Sequence, residues 1–179
     1  MMTTLLNLYD RFFSILASAA GEWFLPTLAR FIFIAVLLKY FWGSAMTKVG
    51  TGFGGLFNLD ANGYVQIFPT KMDMLGYDPS GLGLVYKVVA VLGTWSEFIL
   101  PALILVGLLT RLAALGMVGF VLVQTVVDVT GHGSKLGAWF NNTSSDLIAD
   151  QRLLWFMLFA FMIVKGAGPL SLDRLMKRA

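Results

Sequence analysis

The chain has 179 residues, of which 58% are hydrophobic and 13% charged, and its mean hydropathy is +0.78. A soluble domain carries about 25% charge and is less than half apolar, so this composition excludes a soluble enzyme, a disordered chain and a nucleic-acid reader; the length allows one domain. The net charge of +3 is the balance of 13 basic and 10 acidic residues scattered along the chain, which leaves the lipid bilayer as the partner that composition names.

Cysteine is absent and His132 is the single histidine. Disulfides, iron–sulfur clusters and thiolate metal sites are therefore excluded. A haem held by two histidines cannot be built from this chain alone, and no metal site is expected. Redox chemistry here would use an organic cofactor or a metal on another subunit.

In chain order, residues 4–20 place Leu5, Leu8, Phe12, Phe13 and Leu16 at helical spacing, with Asn7, Asp10, Arg11, Ser14 and Ser18 on the other side. This predicts an amphipathic helix lying in the membrane interface. A cleaved signal peptide is the alternative, disfavoured by Asp10 beside the lone cation Arg11 and by a brief apolar core. Residues 23–46 read as a first span, with Pro26 in its first turn and Arg30 and Lys39 interrupting it. Residues 84–109 read as a second, with Glu97 near its middle, and residues 112–129 as a third, after a tight break at Thr110 and Arg111. Ala113, Ala114, Gly116 and Gly119 would let neighbouring helices approach closely. A fourth span is weaker: Leu153 to Val164 is uninterrupted, and reaching across needs residues 147–168 with Lys165 snorkelling. The expectation is an all-α, integral membrane four-helix bundle. Two long connections remain, at 47–83 and 130–147. The first carries a turn at Tyr77 to Gly81 and a short surface helix within 61–74.

With four spans, both termini share a side. That side holds six basic residues, Arg11, Arg111, Lys165, Arg174, Lys177 and Arg178, against five on the other. The cluster after the last span puts both termini in the cytoplasm and both long loops outside.

Several strings resemble one group of proteins. Glu97 to Ala114 (EFILPALILVGLLTRLAA) resembles the acid, apolar run and Gly-Leu-x-Thr-Arg-x-Ala pattern of the DoxX family. Gly166 to Asp173 resembles its closing Gly-x-Gly-x-x-Ser-Leu-Asp, and Arg30 with the stretch from Gly43 to Lys48 resembles its first-helix Arg…Gly…Lys. Residues 66–80 are similar to a proteobacterial branch. The spacing from Arg30 to Lys48 is longer than the family's usual one, so Lys48 is not assigned the usual lysine's place. The resemblance implies a four-helix membrane protein of the bacterial inner membrane. The family it resembles is named for the small membrane subunit of an archaeal thiosulfate-linked, quinol-oxidising complex.

Depth selects the candidate site. Lys39 and Glu97 each lie roughly 17 Å from the cytoplasmic ends of their helices, and an unpaired charge there costs at least about 2.5–3.5 kcal/mol. They are expected to pair, either as a structural lock or beside a ligand headgroup. Gln124, Asp128 and His132 follow at i, i+4 and i+8 on one face of the third span, Gln124 level with the pair. They read as a polar ladder to the outside, or as groups solvated where the helix leaves the membrane. Trp95 offers an aromatic face for a flat ring, or plain packing. Lys39, Trp95, Glu97 and Gln124 are the candidate ligand site. Arg30, Arg111 and Asp173 are read as charges of the inner interface: Arg30 snorkels or reaches Asp173, and Ser171 caps a short C-terminal helix.

Three functions fit. One is a membrane subunit of a quinone-linked oxidoreductase, with a quinone headgroup at the midplane and the metals on partner subunits. Another is an accessory or scaffold subunit of a larger membrane complex or homo-oligomer. The third is a small-molecule carrier.

Overall fold

The computed structural model describes residues 2–52 and 54–176, so Lys177 and Arg178 of the basic count lie outside the described residues. The helices are α1 (Met2–Ala19), α2 (Leu25–Phe33), α3 (Lys39–Met46), α4 (Ala61–Ile67), α5 (Pro69–Met74), α6 (Leu84–Val106), α7 (Thr110–Thr130), α8 (Ala149–Lys165) and α9 (Leu172–Met176). No strand occurs among the described residues. Thr4–Met46, Leu84–Val106 and Thr110–Thr130 are each long and apolar enough to cross a membrane. At 17 residues, α8 is the shorter fourth packing helix.

The expected break between an N-terminal helix and the first span is absent. One helix runs from α1 through α3, joined by π-helical turns at Ala20–Phe24 and Ile34–Leu38. Pro26 explains the first. It cannot donate to the helix ladder, and just before it the Leu25 amide reaches back five residues to the Ala20 carbonyl. A π turn absorbs the disturbance without ending the helix. Residues 4–19 are exposed on every side.

The packing closes on itself. α3 lies on α6, α6 on α7, α7 on α8, and α8 returns to α2. Phe33, Leu37, Phe41, Met117 and Phe159 form the centre of the core, and Ala113 and Ala114 bring α7 close to its neighbours. Lipid is as apolar as these side chains, so close packing and internal polar bonds hold such helices together, rather than exclusion of water.

The connection at 47–83 is a folded cap. The single helix expected within 61–74 is two helices, divided at Phe68, where φ is −128° and Pro69 opens α5. Leu59, Tyr64, Met72 and Leu82 build a second small core against Ala90 of α6. The turn at its end is held by Ser80, whose hydroxyl and amide both donate to Asp78. The hydroxyl bond first, then the amide bond, holds that carboxyl below its usual range.

At the opposite end of α6, four helix ends meet. Helix termini leave backbone groups unsatisfied, and nonpolar surroundings make that costly. α6 stops at Gly107, whose left-handed φ of 68° and close approach leave no room for a side chain: a Cβ would lie 2.5 Å from the Ser171 Cβ. Arg30, expected to snorkel, is buried instead. It donates to the Ile104 and Leu105 carbonyls at 3.1 and 2.8 Å and to those of Ala167 and Leu170 at 3.0 and 2.5 Å. The carbonyl ends of helices carry partial negative charge, which makes them the better partner than water. Asp173 makes the complementary contact, accepting from the Leu109 amide at 2.7 Å and the Thr110 amide at 3.0 Å. It thereby caps α7 from the far end of the sequence and holds Leu109 in its left-handed conformation, φ 49°. Arg111 donates to the Val164 carbonyl near the end of α8. Ser171 accepts from the Arg174 amide and caps α9 as expected.

Asp173→Ala should therefore lower stability by about 1–2 kcal/mol, the worth of a helix cap. The thermal unfolding midpoint in detergent checks this, and an unchanged midpoint would mean that α7 does not depend on the distant carboxylate.

Candidate functional site

Glu97 is buried, and its partner is Lys48. The Lys48 Nζ donates to both carboxylate oxygens, at 3.0 and 2.9 Å, and both side chains are about 95% buried. The pairing expected with Lys39 is absent, because Lys39 lies on the exposed face of the first helix. Nine residues separate Lys39 from Lys48, which is half a turn out of phase at 100° per residue. Depth favoured Lys39, but Lys48 stands just past the end of α3 and folds its chain back over the last turn, to the Ser44 hydroxyl at 2.7 Å and the Ser44 carbonyl at 3.0 Å.

The surroundings seal this pair. Pro101, four residues beyond Glu97, has no amide to give the Glu97 carbonyl and loosens α6 there. The Trp42 indole donates to the Phe98 carbonyl at 3.2 Å. Gly63 of α4 sits against Lys48: a Cβ there would be 2.9 Å from the Lys48 carbonyl oxygen. That carbonyl accepts from the Asp60 amide at 3.0 Å. An ammonium has three protons, and Lys48 already faces four acceptor atoms within 3.0 Å. No donor is left over for a ligand.

The other expected site residues do not join the pair. Trp95 donates to the Leu56 carbonyl at 2.8 Å and meets Phe57 edge to face, which pins the 47–60 loop to α6. Gln124 donates to the Tyr40 hydroxyl at 2.9 Å. Asp128 forms an ion pair with Arg152 of α8, and Arg152 also donates to Thr125 at 2.5 Å. His132 Nε2 bonds the Gln66 carbonyl at 2.9 Å, and Gln66 meets Thr47 through its amide. Gln124, Asp128 and His132, the last just past the end of α7, are each taken by a different element: α3, α8 and the cap.

Reading the chain by depth missed Arg152. Its guanidinium is buried, although a span beginning at residue 147 places position 152 near the outer interface. The available signal was Asp128 on α7, which needs a cation on whichever helix packs there. Two polar atoms near this second cluster are buried and unpartnered, the Gln124 Oε1 acceptor and the Arg152 Nε donor. The Tyr40 and Trp155 rings pack beside it, 5.3 Å apart. Trp155 also lines an apolar groove of about 660 Å³ between the first helix and α8, with Ile32, Val36, Leu158, Phe161 and Gln151. Among the described residues no cluster of carboxylates and histidine could hold a metal ion.

Removing one partner of a buried ion pair strands the other, at about 3–5 kcal/mol. Glu97→Gln and Lys48→Met should each lower folded yield and unfolding midpoint by that order, and Lys48→Met with Glu97→Leu should recover part of it. Lys39→Met should leave both unchanged. Loss with Lys39→Met, or a double variant no better than the single ones, would refute the pairing.

Lys48, Glu97 and Asp128 fall in a stretch that a family model matches. The family model for DoxX matches residues 25–133, more than half of the 179 residues. No curated protein and no solved structure matches the chain. The matched stretch contains Arg30, Lys48, Glu97 and Arg111, the charges that hold the helices in register. The chain is a membrane protein belonging to the DoxX family.

Proposed function

We propose that this chain is the membrane subunit of a quinone-linked electron-transfer assembly of the bacterial inner membrane, and that it holds the quinone at the α3–α7–α8 cluster. The redox metals belong to partner subunits. The observation that carries the reading is an apolar groove lined by Trp155, whose ring packs on Tyr40, the hydrogen-bond partner of Gln124; Gln124 Oε1 and Arg152 Nε are a buried acceptor and a buried donor without partners. A quinone ring needs an aromatic or apolar slot and a donor for its carbonyl; its reduced form needs an acceptor. Arg152 would supply the first and Gln124 the second, with Tyr40 and Trp155 on the ring. The apolar groove would take the isoprenoid tail. A quinone supplies two-electron, two-proton carrying capacity. Lys48, Glu97 and Trp95 are positioning residues in this reading, since their polar atoms are engaged within the fold.

A second reading is an accessory subunit that only organises a larger complex. The saturated Lys48–Glu97 pair favours it, because the deepest charges serve packing. The four helices α2–α3, α6, α7 and α8 form the bundle in either case.

The test is retention of quinone by the protein purified natively from membranes. Gln124→Leu and Trp155→Leu should leave assembly with partner subunits intact and remove bound quinone and quinone-dependent turnover. Variants that assemble and match the parent in both measurements would leave the accessory reading in its place. A reporter fused to the C-terminus that works only in the periplasm should be silent; activity there would reverse the orientation.

A further inference from the structure

At the end of the bundle where Arg30 and Asp173 act, a cavity of about 570 Å³ opens between the α6–α7 turn, the end of α8 and the turn before α9. Thr110, Gly166 and Ser171 line it and are buried. Thr110 is 0% exposed and its hydroxyl has no hydrogen-bond partner. Exposed Arg111, Lys165 and Arg174 line the same cavity, together with Glu22 from the first π turn. Asp173 is there too, but its two oxygens face the Leu109 and Thr110 amides, so the start of α7 offsets its charge. Arg111 gives one nitrogen to the Val164 carbonyl and keeps its other donors. The remaining charged side chains are therefore three cations and one carboxylate.

We propose that this cavity binds the phosphate of an amine-bearing headgroup, the phosphoethanolamine chemistry of a membrane phospholipid. Arg111, Lys165 and Arg174 face the phosphate, the Thr110 hydroxyl donates to it, and Glu22 takes the ammonium. Three features select this chemistry. The cavity lies where α6, α7 and α8 all end, the level at which headgroups meet a spanning protein, and basic pockets between helix ends are headgroup sites. Arginine and lysine together suit phosphate oxygens. Glu22 has no role toward a phosphate alone and would repel a headgroup carrying a second anion. The inference is independent of the quinone reading, which concerns a different set of side chains.

The experiment titrates the purified full-length protein in detergent with short-chain phosphatidylethanolamine, short-chain phosphatidylglycerol, free phosphoethanolamine and inorganic phosphate. Bound lipid is read by native mass spectrometry and the thermal unfolding midpoint. Phosphatidylethanolamine should bind more tightly than phosphatidylglycerol, and Lys165→Gln with Arg174→Gln should weaken it about tenfold or more, the worth of charge-assisted bonds. Glu22→Gln should remove the preference between the two lipids. Lys135→Gln, a cation of the long 131–148 connection, should change nothing. Binding of the lipid well above free phosphoethanolamine assigns the membrane as the source; equal binding assigns a soluble phosphoamine to the same site. Equal affinity in parent and the Lys165, Arg174 double variant, or equal weakening by Lys135→Gln, would overturn the site.

Discussion

The fold turns on Arg30. One guanidinium buried in a spanning helix bonds four backbone carbonyls that belong to the end of α6 and to the turn before α9. In water these carbonyls would be solvated at no cost. Buried away from water each orphan costs a few kcal/mol, and an unpaired buried arginine costs more. The two deficits cancel only when the first helix, α6 and the C-terminal turn lie together. Asp173 does the same for the opposite polarity, bringing a carboxylate to the amide end of α7. Helix ends, rather than helix flanks, therefore fix which segments are neighbours.

Lys48 and Glu97 act at the other end of this frame. Their pair ties the end of α3 to the middle of α6, beneath a cap whose α4 approaches closely enough to require glycine at position 63. Arg152 and Asp128 tie α7 to α8, and His132 ties α7 to the cap. Charges deep in a bilayer usually mark function. Here Lys48 and Glu97 saturate each other, and unused hydrogen-bonding capacity sits one cluster away, at Gln124 and Arg152. That contrast separates residues that hold the protein from residues able to hold something else.

The second and third apolar stretches were legible almost to their ends, because a long apolar run bounded by Gly107 and Thr110 has few alternatives. The Gly-Leu-x-Thr-Arg and Ser-Leu-Asp strings were legible as a family resemblance, but their physical roles needed the structure: Gly107 leaves room for Ser171, and Asp173 caps a helix over 60 residues away. The wrong lysine has a specific cause. Ala29, Phe33, Leu37, Phe41 and Ala45 are all buried, a spacing of four that an α-helix lets drift by about 40° per step. The π turn at Ile34–Leu38 takes the drift back, and that stripe, not depth, marks the inner face. Lys39 is off it. The closeness of α4 to Lys48 had no sequence signal beyond a glycine.

The partners of Arg30 carry a consequence for how the protein is made. They lie 74, 75, 137 and 140 residues downstream. At about 5–20 residues per second of synthesis, the last of them follows Arg30 by roughly 7–28 s. For the first 74 residues of that interval none of these carbonyls has been made; the two of α6 come next, and the last two follow only with the turn before α9. The earliest helix is thus locked by residues among the last to be made, and the Arg30 contacts are complete only when synthesis is nearly over.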